Sequence, residues 1–136
     1  MPESESAAKH EFLIEEYKQR HDYLQMLAAD QRIVALAILA FNGLALFPSA
    51  QQLGPIVYSL MTLVGLFGIV HNNRLIARYD GNREPLLKVA EQLGIKSVVP
   101  EGKRKWYDPT TMRAWFYFLY AVIAMFWVVQ ALDWFI

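Results

Sequence analysis

The uncharged run Gly54–Val70, GPIVYSLMTLVGLFGIV, constrains this chain most. Its polar members, Tyr58, Ser59 and Thr62, are mild. A second apolar run, Ile33 to Phe47, ends at Pro48, and only PSAQQL separates the two. That link has no charge and no room for a domain. Two such runs joined so tightly predict an antiparallel helical hairpin in a membrane, since a crossing helix needs about 20 mostly apolar residues. The run from Ile33 is shorter than that and reaches the length only by borrowing its flanks. Asp30 and Arg32 then fall at its inner edge, where long side chains snorkel. A third run, Ala114 to Leu132, is the longest.

The cations are sorted around these runs. Lys9, Lys18, Arg20 and Arg32 precede the first, and the other nine of the 13 lie from Arg74 to Arg113. None lies between the first two runs, and none follows the third. Lys and Arg favour the cytoplasmic side of a membrane. The N-terminus and residues 71–113 are therefore expected inside, and the 48–54 turn and Ile136 outside. A soluble bundle with buried helices is the alternative, and it would need this sorting to arise by accident.

The expected fold is an all-α membrane protein with three transmembrane helices. Residues 1–32 are read as a disordered start, MPESESAA, and a cytoplasmic helix leading into span one. Leu13, Tyr17, Leu24 and Ala28 give that helix an apolar stripe that needs a partner. Residues 33–70 form the hairpin, with spans at 33–50 and 54–71. Pro48 closes the first span and Gly54-Pro55 opens the second. Residues 71–113 are a cytoplasmic basic segment. In it Asp80-Gly81-Asn82 is expected to break the chain, and Glu84-Pro85 to open a short helix over 84–94 that stops at Gly94. Asp108-Pro109 reads as the start of the last helix, whose span is 114–136.

Several residues stand out. Asn42 lies inside the first span, and a buried amide in lipid seeks an interhelical hydrogen bond. Gly65 and Gly68 mark a side of the second span where another helix can approach. His71-Asn72-Asn73-Arg74, with Arg78, forms a candidate collar for a lipid headgroup or other ligand. Its plainer reading is a polar edge where the helix leaves the lipid. Trp106, Tyr107, Trp115 and Trp134 are candidate interfacial anchors.

Little points to a reaction. Cysteine is absent. The three histidines, His10, His21 and His71, show no metal-binding or catalytic spacing. No glycine-rich phosphate loop or nucleophile elbow occurs. No charge lies deep in a span, so a proton or ion relay has no support. No cofactor, metal or nucleic-acid partner is expected.

The EEYKQR start, the helix entering a two-span hairpin and the stretch NNRLIARYDGNREPLLKVAEQLG resemble small bacterial inner-membrane proteins of the RipA-like group. The layout also resembles the SLATT-type two-span effectors of bacterial defence systems. Both resemblances are architectural. They imply a homo-oligomer in the bacterial inner membrane, contacting lipid, with a pore or membrane-perturbing role and no assigned reaction. The other expectation is an accessory or adaptor subunit that binds another protein through its cytoplasmic helices.

Overall fold

The computed structural model describes residues 2–96 and 112–136. Four helices follow in order: α1 (Pro2–Ala45), α2 (Pro48–Gln51), α3 (Pro55–Leu93) and α4 (Met112–Phe135). No strand occurs among the described residues. α1, α3 and α4 are each long and apolar enough to cross a membrane.

The chain packs as two compact units. Among the described residues, one takes 2–29 and 76–96, the other 30–75 and 112–136. α1 and α3 supply both. The first unit buries Leu24 and Leu27 of α1 and Leu86, Val89 and Ala90 of α3. The second is a three-helix core of Ala35, Ile38 and Ala45 from α1, Val57, Tyr58 and Met61 from α3, and Tyr120, Ile123 and Trp127 from α4.

The second unit is apolar outside as well as inside. Leu36, Leu44, Ile56, Leu63, Phe118 and Met125 are all more than half exposed. Only 22%, 33% and 22% of the three apolar windows is buried. A water-soluble bundle buries the apolar stripe of each helix and wets the other face. An apolar exterior of this kind fits helices long and apolar enough to cross a membrane.

A proline and a glycine shape the hairpin turn. α1 ends at Ala45 because Phe47, the residue before Pro48, is pushed into extended backbone. Pro48 then starts the single turn α2, where its missing N–H costs nothing. Span one is therefore split, its helix ending before the expected residue 50. Gly54 turns the chain with φ +49°. The Trp134 indole covers it so closely that a Cβ would sit 3.1 Å from the ring. Gly54→Ala meets both the left-handed penalty of about 1–2 kcal/mol and that ring. It should lower the melting temperature in detergent, while alanine at Gly43, with no atom within 4 Å, should not.

α3 and α4 approach through small residues. A Cβ on Gly65 would lie 3.0 Å from the backbone nitrogen of Ala124, and one on Gly68 would lie 2.7 Å from the Tyr120 ring.

Some expectations fail. No break occurs at Asp80-Gly81-Asn82, and no separate helix spans 84–94. α3 continues through Pro85 to Leu93. Proline inside a helix costs about 3 kcal/mol. Here the residue four back, whose carbonyl loses its partner, is Gly81. Beyond the proline, Leu86 is fully buried and Val89 and Ala90 nearly so. Keeping the helical register is what buries them together. The expected disordered start is helical too, with α1 running from Pro2. Proline at the first position and acidic residues in the next turns favour a helix there. Gly94, with φ +67°, ends α3, and the Ile95 N–H donates back to the Ala90 carbonyl.

Candidate functional site

The polar side chains of the second unit gather at two levels. The first lies where the apolar runs of α1, α3 and α4 meet their flanking arginines. Gln31 Nε2 of α1 donates to Asn72 Oδ1 of α3, and the Tyr117 hydroxyl of α4 donates to Asn73 Oδ1. Consecutive helix residues diverge by about 100°, so Asn72 and Asn73 serve different neighbours. Asn72 is 1% exposed, and its Nδ2 has no partner among the described residues. His71 turns along its own helix and stacks on Phe67 at 5.7 Å. Its Nε2 is also buried and lacks a partner among the described residues. Arg74 is exposed.

This arrangement changes the expected collar. His71, Asn72 and Asn73 do not line one surface. They point to three different neighbours, and two of them tie α3 to α1 and α4. Arg78, also exposed, belongs to the other compact unit.

The second level runs toward the hairpin turn. Asn42 Nδ2 donates to the Ile38 carbonyl at 2.8 Å, and Asn42 Oδ1 accepts from Trp127 Nε1 of α4. Trp127 is 1% exposed. The Tyr58 ring stacks on it at 5.8 Å, and the Tyr58 hydroxyl donates to Gln51 Oε1 at 3.0 Å. Gln51 Nε2 donates in turn to the Ala45 carbonyl at 2.6 Å, which α1 leaves open where it ends. Every side chain in this relay has a polar partner.

Trp115 and Trp134 are both more than half exposed, near the two ends of α4. Trp115 meets Phe118 edge-on at 6.3 Å. Trp134 covers Gly54 and meets Tyr58 edge-on. Trp106, Tyr107 and the Asp108-Pro109 helix start lie outside the described residues.

In the other unit, Arg20 bonds Glu16 at 2.8 Å and Lys88 lies 3.9 Å from Glu84. Both are pairs at i,i+4 on helix surfaces, the kind worth about 0.3–0.5 kcal/mol. His21 stacks on Tyr17 and bonds Gln25, both on its own helix.

Sequence reasoning singled out Asn42, Asn72 and Asn73 but missed Gln31, Tyr117, Trp127 and Gln51 as their partners or relays. The available signal was position. Gln31 and Tyr117 sit at the edges of their apolar runs, as Asn72 and Asn73 do.

Among the described residues no group of three or more His, Cys, Asp or Glu could hold a metal ion. No protein-family profile, curated protein or solved structure matches the chain.

Proposed function

We infer that this chain is a non-enzymatic, multi-pass protein of the bacterial inner membrane that assembles with copies of itself, as a pore or membrane-perturbing effector. Kinship with the RipA-like or SLATT-type proteins belongs to the same proposal. Its N-terminus and residues 71–113 face the cytoplasm, and its C-terminus the outer side. The orientation rests on the cation sorting.

One observation carries the self-association. Phe12, Ile14 and Met26 of α1 are 66%, 50% and 50% exposed. They share that stretch with Glu11, Glu15, Glu16, Lys18, Arg20 and Asp22, charges too costly for hydrocarbon. Apolar side chains exposed beside these charges offer a surface on which a second copy can pack. A subunit with three spans also buries little by itself.

Native mass spectrometry of the detergent-purified chain should show a homo-oligomer. Phe12→Ser with Met26→Ser should shift it toward monomer, with the helical content kept. A wild type found only as monomer would sink the reading. Dye release from vesicles would favour the pore. Intact vesicles and a stoichiometric partner of different sequence would favour the accessory subunit.

A further inference from the structure

Two exposed carboxylates bracket the three-helix unit. Asp30 of α1 precedes Gln31, which bonds Asn72, so Asp30 stands level with Asn73 of α3. Asp133 of α4 precedes Trp134, which covers Gly54, so Asp133 stands level with Pro55. No other carboxylate lies between these levels, and Arg32 is the only Lys or Arg there. An arginine does not fix the depth of its helix, because its long stem lets the head snorkel. An aspartate has a single methylene and little reach, so its backbone marks the polar edge closely.

α1 and α4 run the same way. Gln31 and Tyr117 meet α3 at one level, and Asn42 meets Trp127 further along both helices. Helical side chains lean toward the N-terminus, so the two carboxylates lean alike and keep the spacing of their backbones. That spacing is short. From Pro55 to Asn73 α3 rises about 27 Å, and from Tyr117, which bonds Asn73, to Asp133 α4 rises about 24 Å. Tilting the helices would shorten the reach further. The hydrocarbon core of a typical bilayer is about 30 Å thick. Ser49, Gln52 and Asp133, exposed at the outer end, include no Lys or Arg to reach past it.

We propose that the three-helix unit fits a bilayer of short acyl chains, with hydrocarbon about 25 Å thick, and draws a thicker bilayer in around itself. Asp30 and Asp133 set the two edges. The inference rests on the membrane reading above. It gives that reading a way to disturb lipid packing without a pore, and it holds for a single copy as for an assembly.

The test reconstitutes the full chain in dioleoylphosphatidylcholine brominated in its chains, which quenches tryptophan fluorescence. Unbrominated phosphatidylcholine is then mixed in, with either shorter (dipalmitoleoyl) or longer (dierucoyl) chains. The shorter lipid should displace the brominated one from the protein about twofold better than the longer lipid does. Asp30→Leu with Asp133→Leu lengthens the apolar belt at both edges and should abolish that preference. Asp22→Leu, in the other compact unit, should keep it. Equal displacement by the two lipids, or better displacement by the longer one, would overturn the proposal. So would an unchanged preference in the Asp30→Leu, Asp133→Leu variant, or its loss in Asp22→Leu. A chain that floats with none of these vesicles would refute the membrane reading itself, whereas one that floats but shows no preference refutes only the fit to thickness.

Discussion

Replacing Gly65 and Gly68 together by leucine should detach α4 from α3. The two glycines sit on the seam where α4 comes closest. At Gly65 the obstacle is the backbone of Ala124, which cannot rotate away, and at Gly68 a Cβ would meet both the Tyr120 ring and, at 3.0 Å, Ile38 of α1. Overpacking costs about 1–3 kcal/mol per site. Two adjacent sites on one seam would remove most of the stability of a three-helix bundle in detergent. Circular dichroism during an SDS titration should show unfolding at a much lower detergent fraction. Gly43→Leu is the control, since nothing lies within 4 Å of a Cβ there, and it should melt like the parent. Equal losses at Gly43 and at the pair would mean that glycine content matters, and not the seam.

Trp127→Ala should be the most damaging single truncation. Trp127 is among the largest fully buried side chains, and it links the helices in two ways. Its Nε1 donates to Asn42 of α1, and its ring carries the Tyr58 ring of α3. Alanine would leave a cavity and an unpaired amide oxygen, a loss of about 3–5 kcal/mol. Trp127→Phe separates the two parts, because it keeps most of the ring and removes the donor. Asn42→Leu removes the acceptor. A double-mutant cycle between these two substitutions should give a coupling of about 0.6–1.7 kcal/mol, the range found for interhelical hydrogen bonds in membranes. No coupling would mean that the bond contributes nothing beyond packing.

The three long apolar helices could be read from sequence because their signal is local. An uncharged stretch from Ile33 to Asn73, interrupted by Pro48 and Gly54-Pro55, leaves few alternatives to a hairpin. Gly94 likewise marks a stop within its own turn. The course of α3 beyond Arg78 could not be read this way. Asp80-Gly81-Asn82 and Pro85 all favour a break locally, and what overrides them is the burial of Leu86, Val89 and Ala90. That burial involves residues distant in sequence. The polar contacts were half legible for the same reason. Asn42 and Asn72 are conspicuous in apolar surroundings, but their partners Trp127 and Gln31 lie far along the chain. The collar looked continuous only because His71, Asn72, Asn73 and Arg74 are consecutive. Around a helix they fan out.

The chain contains no cysteine, so single cysteines can report its topology without background. Ser49→Cys lies in the exposed turn between the first two spans, and Gln92→Cys lies exposed near the end of α3. On intact spheroplasts, a membrane-impermeant maleimide should label Ser49→Cys at once, and Gln92→Cys only after lysis. Labelling of both positions before lysis, or of Gln92→Cys alone, would contradict the membrane arrangement on which the proposed function rests.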